Sequence, residues 1–377
     1  MRIAHCILGR CNSESANGVD KTVYYLALHQ AKAGEKVAVF SITDKEPLPI
    51  PGVEVIPIPS VRKGLLIHLP FSFCGLEEKL LEWKPDIVHF HSVHIGPFIA
   101  VAQSLRQKKI PYIVTPNGGY ALEKMSQSDV RVKFYTRWIE KSYLENAFFV
   151  HAVSQNDILG LKTLGINPRF VKIPNGIDLE NVPSITSCQY LAVHFPELAG
   201  RRLFLFLGRL DPSQKGLDIL LEAFALANPE NAALVLAGPD WHGSIKKLKI
   251  LIAKLGITER VVFTGPVFGE EKWALFNEID IYIQLSRWEG LSLSILEALA
   301  AGKPVIASRQ ADPDEMINRF MAGETVVPEV GSIAGVISRF SKVSRLELGS
   351  MGENARQLAR NYEWKILAGD MLRAYVH

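Results

Sequence analysis

Leu203-Phe204-Leu205-Phe206-Leu207, followed at once by Gly208-Arg209-Leu210-Asp211-Pro212-Ser213-Gln214-Lys215-Gly216, carries the fold in miniature. Five apolar residues in a row, with no polar alternation, describe a strand covered on both faces. Such strands belong to parallel sheets flanked by helices. The glycine ends the strand, and Asp-Pro opens a helix behind it.

The same unit recurs outward in both directions. Toward the N-terminus, strands are expected at Arg2–Leu8, Lys36–Ile42, Val53–Pro57, Asp86–His91, Tyr112–Thr115, Phe148–Val153 and Phe170–Ile173. Toward the C-terminus they are expected at Ala233–Ala237, Val261–Thr264, Ile281–Leu285, Pro304–Ala307 and Glu324–Val327. Helical stretches lie between them, for example Val19–Ala33, closed by Gly34 as a C-terminal cap. The chain of 377 residues is long for one core, since domains usually hold about 100–200 residues. The stretch 178–202 contains Pro and Ser without a clear period and is expected to link two domains. The fold class is therefore α/β, with two Rossmann-like, doubly wound parallel-sheet domains facing a central cleft. They are placed at 1–180 and 200–360, and the amphipathic helix at 363–377 can pack back on the first.

Composition narrows the function. Hydrophobic residues make up 48%, charged residues 21%, and the formal net charge is +3, which gives no compositional support for nucleic-acid binding. Cys6, Cys11, Cys74 and Cys188 form no C-x-x-C pair, in keeping with a reducing, cytoplasmic compartment. No apolar run approaches the ~18 residues of a membrane span, so any membrane contact is expected to be peripheral.

Two constellations carry chemistry. In Glu289-Gly290-Leu291-Ser292-Leu293-Ser294-Ile295-Leu296-Glu297, one carboxylate sits in a loop after a strand and the other inside the helix that follows. A helix start can hold a phosphate, and a carboxylate can accept two hydrogen bonds from a vicinal diol. Two solvated glutamates suited to the helix dipole read equally well from spacing alone. In Gly208–Gly216, Arg209 and Lys215 can converge on a diphosphate; a turn with two surface cations is the plainer reading. Gly238 and Gly265 end strands where backbone can approach a ligand, and Val267 follows the second of them. Asn17-Gly18-Val19 opens the first helix, with Gly18 near a donor phosphate or sugar, and no G-x-G-x-x-G supports a nicotinamide site. His89, His91 and His94 cluster at a strand end. A zinc site there lacks a third well-placed ligand, and Asp312-Pro313-Asp314 reads as a loop, so no metal is expected.

Taken in order, these residues resemble the retaining family-4 glycosyltransferases of the GT-B fold. The likeness runs from Asn17-Gly18-Val19 through Asp86-Ile87-Val88-His89-Phe90-His91, Val153-Ser154 and Ile173-Pro174-Asn175-Gly176-Ile177-Asp178. It continues through Gly208-Arg209, Lys215-Gly216 and the Glu289/Glu297 pair to Glu297–Ser308. The resemblance implies a transferase for polysaccharide, lipopolysaccharide or glycoside assembly that keeps the anomeric configuration and needs no metal or other cofactor. Its donor would be a UDP- or GDP-linked sugar and its acceptor a glycan, glycolipid or small glycoside. Arg209 and Lys215 would neutralise the diphosphate, and Glu297 would hold the ribose. Glu289, with Gly290, Leu291 and Ser292, would grip the transferred sugar, while Gly208, Gly238, Gly265 and Val267 line the donor. Two departures stand out. Asn117 occupies the place where the family often has histidine, which leaves His91 and a non-titrating Asn117 beside the reacting sugar. Asp312 falls where glycine is usual, so that loop is expected to be remade for a particular sugar. An epimerase of the same architecture and a silent binding subunit are the alternatives.

Acceptor recognition is expected in the loops Val61–Gly75 and Gly118–Arg131. The stretch Val130–Leu144 interleaves Arg131, Lys133, Arg137 and Lys141 with Phe134, Tyr135, Trp138 and Tyr143. It is either a helix lying against anionic lipid or a core helix whose aromatic residues pack on the sheet.

Overall fold

The computed structural model describes residues 1–15, 17–59, 67–70, 75–183 and 189–377. Cys74, Cys188 and most of the loop at 61–75 lie outside the described residues. The chain forms two compact units, Met1–Gly176 with Trp364–His377, and Ile177–Glu363.

The first unit holds β1 (Arg2–Leu8), β2 (Lys36–Ile42), β3 (Val53–Ile58), β4 (Ile87–His91), β5 (Tyr112–Thr115), β6 (Phe149–Ala152) and β7 (Phe170–Lys172). They form one 7-stranded sheet in the order β3-β2-β1-β4-β5-β6-β7, with every pairing parallel. The second unit holds β8 (Arg202–Leu207), β9 (Ala232–Ala237), β10 (Val261–Gly265), β11 (Ile281–Gln284), β12 (Val305–Ser308) and β13 (Gly323–Val326). These form a 6-stranded parallel sheet, β10-β9-β8-β11-β12-β13. Strand order therefore reverses between β1 and β4 in one unit and between β8 and β11 in the other. Ligands of doubly wound sheets bind at such reversals, beyond the carboxyl ends of the strands.

The apolar run of β8 is spent on both faces. Leu203, Leu205 and Leu207 enter one core, and Phe204 and Phe206 enter the other. The first sheet is covered in the same way. The helix Trp364–Val376 returns to it, burying Trp364, Leu367, Ala368, Met371 and Tyr375. Gly176 makes room for this helix, since a Cβ there would lie 2.6 Å from the Trp364 ring.

The stretch expected to be a linker is packed in its described residues. Ile177 joins the second unit's core, and the Glu278 carboxylate accepts from Leu191 N and Ala192 N at 3.0 Å each. Its order comes from tertiary capping, which leaves no periodicity to read. The stretch at 130–145 is broken into Val130–Tyr135, a π-turn at Thr136–Glu140 and Lys141–Glu145. No described helix is long and apolar enough to cross a membrane.

Candidate active site

In the second unit, three strand-end loops lie side by side. Gly208 N donates to Ala237 O at 3.0 Å, and Gly238 N donates to Gly265 O at 2.8 Å. A Cβ on Gly238, at φ 140°, would sit 1.8 Å from the Gly208 carbonyl oxygen, so only glycine permits this approach. The Val267 side chain is buried in the core, which leaves only its backbone for a ligand.

Arg209 is held from two sides. Its guanidinium donates to Gln214 Oε1 at 3.1 Å and lies 4.4 Å from the centroid of Trp241, a residue with no sequence signal of its own. Asp211 caps the turn Pro212–Lys215 by accepting from Ser213 N and Gln214 N. Gly216, at φ 65°, then brings the chain against the end of β11, where a Cβ would meet Leu285 O at 2.2 Å. The loop after β11 is tied to the same place. Arg287 N donates to Gln214 O, and its guanidinium makes a forked pair with Asp218 at 2.9 and 2.7 Å.

Glu289, nearly buried, is the centre of this network. Its Oε1 accepts from Lys215 Nζ, from Ser286 Oγ at 2.8 Å and from Gln284 Nε2 at 3.1 Å. Gly290 and Leu291 lead to Ser292, whose hydroxyl donates to Gln284 Oε1 at 2.9 Å instead of capping the helix Leu293–Ala300. The helix start thus has no side-chain cap, and its dipole favours an anion. One turn on, the buried Glu297 carboxylate accepts from Lys272 Nζ at 3.0 Å. Tyr282 stands near both glutamates, its hydroxyl pushed far up by burial. The solvated-glutamate reading is therefore excluded for both positions.

Asp312 serves the protein itself. Its carboxylate accepts from Met316 N at 3.0 Å, Ile317 N at 3.1 Å and Thr325 Oγ1 at 2.6 Å, which caps a helical turn. Burial raises its pKa. That loop is braced internally, and its acid does not face a ligand.

The residues singled out in the first unit lie apart from one another in role. Gly18 is the first residue of the helix Gly18–Lys32, behind Asn17, whose side chain accepts from Val19 N at 3.2 Å. Asn117 adopts φ 53°; its Nδ2 donates to Thr115 O at 3.2 Å, and its buried Oδ1 has no hydrogen-bond partner. The Asp157 carboxylate, sealed in the core, faces the backbone of Gly118, Tyr120 and Val153, and burial pushes its pKa up to about 7. Glu140, also buried, accepts from His94 N and from the Tyr120 hydroxyl at 2.7 Å each, and burial lifts it likewise to about 7. Glu140 braces the loops after β4 and β5, and Asp157 lies against the second of them. They sit among helical polar residues, which in sequence look like surface.

His91 corrects an expectation. It is 0% exposed, 3.0 Å from His5 Nδ1 through its Nε2, and burial drives it far below the ordinary histidine range. It belongs to a core network. Here His89 reaches the Tyr375 hydroxyl at 2.8 Å, and Thr115 reaches His151 at 2.8 Å. A sealed, neutral imidazole does not touch a sugar. His94, the partly exposed member, reaches Thr136 Oγ1 at 3.1 Å and Glu140 at 3.4 Å. Among the described residues, His5, His89 and His91 place ring nitrogens within 4.8 Å of one another. His5, the ligand that the sequence reading lacked, already spends its Nε2 on Gln30 Oε1 at 2.7 Å.

Two doubly wound parallel sheets, with paired acids and cations at the reversal of the second, define a GT-B glycosyltransferase. A family model described as "Glycosyl transferases group 1" matches residues 194–358, and one described as "Glycosyltransferase Family 4" matches residues 16–181. The chain is 31% identical to D-inositol 3-phosphate glycosyltransferase of Salinispora tropica, covering 96% of this chain and 81% of that one. It is 27% identical to alpha-monoglucosyldiacylglycerol synthase of Streptococcus pneumoniae, covering 85% and 74%. The structure of Anabaena HepE in complex with UDP and glucose superimposes with a TM-score of 0.78 at 19% identity, covering 100% and 99%. The chain belongs to the family-4 glycosyltransferases.

Proposed function

We propose that the second unit binds a UDP- or GDP-linked sugar and that the enzyme transfers this sugar with retention of configuration, without a metal. The observation that carries this reading is the pairing of two buried glutamates with two lysines in the second unit, Glu289 with Lys215 and Glu297 with Lys272.

Charge grows on the diphosphate as the sugar leaves. Fixed cations stabilise that growth more than they stabilise the bound ground state. Arg209 and Lys215 supply them in place of a divalent ion. Lys215 is held ready by Glu289, and the phosphates compete for it. Glu289 and the uncapped helix start then face the sugar, and Glu297 takes the ribose diol.

The acceptor is a glycan, glycolipid or small glycoside. A membrane-borne acceptor is favoured by one feature. Val130 (78% exposed), Phe134 (59%) and Trp138 (67%) face solvent beside Arg131 and Arg137 rather than packing on the sheet. Basic and aromatic residues in this arrangement suit an anionic lipid surface, met peripherally from the cytoplasm.

Calorimetric titration with UDP and GDP tests the division of roles. Glu297→Gln should weaken the nucleotide and the intact donor together, whereas Glu289→Gln should spare the nucleotide and damage transfer. Equal loss of nucleotide affinity in both variants would reject the assignment. Release of product from donor alone, without acceptor, would favour epimerisation instead.

A further inference from the structure

His94 stands in the loop after β4, at the reversal of the first sheet, where doubly wound sheets receive ligands. Its backbone is left-handed, at φ 60°, which is uncommon outside glycine and is kept where the surroundings dictate how a side chain is aimed. The ring is clamped edge-on by Tyr120, at 5.8 Å and 89°, and by Tyr135, at 5.7 Å and 72°. Thr136 and Glu140, the two ends of the π-turn, both reach it. Turns of this kind occur frequently at functional sites. The loops after β4 and β5 carry two titratable side chains, His94 and Tyr120. The Tyr120 hydroxyl is buried and spent on Glu140, whereas the His94 side chain keeps 20% of its surface exposed.

The hydrogen bonds around Glu140 decide which nitrogen of His94 carries the proton. The carboxylate accepts from His94 N and from the Tyr120 hydroxyl at 2.7 Å each, and from the Thr136 hydroxyl. A threonine hydroxyl has one proton, and here it goes to the carboxylate, the stronger acceptor. Thr136 Oγ1 is then left to accept, so His94 Nε2, 3.1 Å away, donates to it. Glu140 Oε2, 3.4 Å from the same nitrogen, favours the same tautomer. An imidazole with its one proton on Nε2 has a bare lone pair on Nδ1. Among the described residues that nitrogen has no hydrogen-bond partner. Burial, with the charges of Lys124 and His68 beside it, lowers His94 to about 4 and keeps the ring neutral near pH 7.

An uncharged lone pair, held at a fixed angle and open to solvent, suits a hydroxyl; an anion would be repelled by it. We propose that His94 is an acceptor-site residue of the first unit, its Nδ1 accepting a hydrogen bond from one hydroxyl of the acceptor, with Thr136 and Glu140 as the residues that position the ring. This deepens the acceptor side of the proposed function and rests on it. An acceptor without that hydroxyl leaves Nδ1 unpaired in the complex, which costs affinity. The donor is untouched.

Nitrogen NMR of histidine-labelled protein reads the tautomer without any ligand. At neutral pH His94 should be protonated on Nε2 alone, and Glu140→Gln should mix the two forms. A wild-type ring protonated on Nδ1 overturns the proposal, and a spectrum unmoved by Glu140→Gln overturns the role of Glu140. Transfer from UDP-glucose and GDP-mannose is then measured to methyl α-D-glucoside, methyl α-D-mannoside and octyl β-D-glucoside. His94→Ala should raise the KM of the best of these acceptors about tenfold, the worth of one hydrogen bond, and leave the donor KM within about twofold. His94→Asn should recover part of the loss, since asparagine tolerates the left-handed backbone and can place its Oδ1 where Nδ1 stood. One monodeoxy form of that acceptor should be used by wild type about as poorly as the parent is by His94→Ala, and should lose nothing further in the variant. A KM rise shared by donor and acceptor, or discrimination against every deoxy form that survives in His94→Ala, overturns the proposal. Acceptor binding should also shift the Nδ1 resonance of wild type, which reports even if His94→Ala fails to fold; an unmoved resonance overturns it too. If neither donor releases its nucleotide, even to water, the transferase reading fails instead, and the tautomer still decides on His94.

Discussion

Acidification from about pH 7 to about pH 5 should unfold the first unit while sparing the second. Burial holds His5 and His151 at about 4, against an ordinary value of 6.5, and His94 is lowered to about 4 by burial and by the charges of Lys124 and His68. His89 and His91 are driven lower in the same direction, again by burial first. A histidine with a lowered folded pKa contributes stability above 6.5, and this is lost as pH falls toward the folded value. At about pH 5 each stays neutral in the fold while its unfolded counterpart takes a proton, a loss of about 2 kcal/mol per imidazole. For His89 and His91 the loss is no larger, because at that pH the unfolded state sets it. Glu140 and Asp157 act oppositely. Their pKa values are raised to about 7, so they favour the fold at low pH and return about 2 kcal/mol each. The five imidazoles outweigh the two acids by about 5 to 6 kcal/mol, comparable with the whole stability of a domain. Every group named lies in Met1–Gly176. Urea denaturation at the two pH values, followed by hydrogen exchange read peptide by peptide, should show the midpoint falling for that unit. An unchanged midpoint, or a loss shared equally by peptides of 177–363, would refute the reasoning.

Other outcomes follow from the site. Trp241→Ala should lower kcat/KM about fivefold, the worth of a half-exposed cation–π contact, with Trp241→Phe retaining most of it. In an Arg209→Ala background the same change should cost nothing, and an equal cost there would show that Trp241 acts through something else. Arg209→Ala and Lys215→Ala should lower kcat more than they raise the donor KM, and EDTA should leave steady-state activity largely intact. Abolition by EDTA with rescue by manganese would overturn the metal-free mechanism. In sedimentation with anionic vesicles at low salt, wild type should pellet and Phe134→Ala/Trp138→Ala should remain in solution. Wild type in the supernatant would point to a soluble acceptor.

The strands were legible because helices cover both faces of each sheet. An unbroken run such as Leu203–Leu207 has no other comfortable environment. The glutamates at 289 and 297 and the cations at 209 and 215 were legible because strand-end loops advertise them. Lys272 was not, since one lysine among Glu270 and Glu271 at a helix start reads as a solvated face. The same holds for Glu140, which meets His94 N and the Tyr120 hydroxyl, and for Asp157, which faces the backbone of a distant loop. His91 misled because the spacing of His89 and His91 shows a shared sheet face without showing which face stays dry. The stretch at 178–202 misled because irregular backbone held by Glu278 has no period.

The return of the helix Trp364–Val376 to the first sheet makes the second unit an insertion within the first. On a ribosome the order of completion is therefore inverted. Residues 177–363 emerge as one contiguous stretch and can close their core at once. The sheet made earliest must wait for the rest of its cover, with Phe149 lacking the Tyr375 ring, until the last residues of this sequence arrive. The interval in which a nascent chain exposes an unfinished sheet is thus as long as the synthesis of an entire second domain. A stop codon just before Trp364 would strand the part of the protein that was translated first.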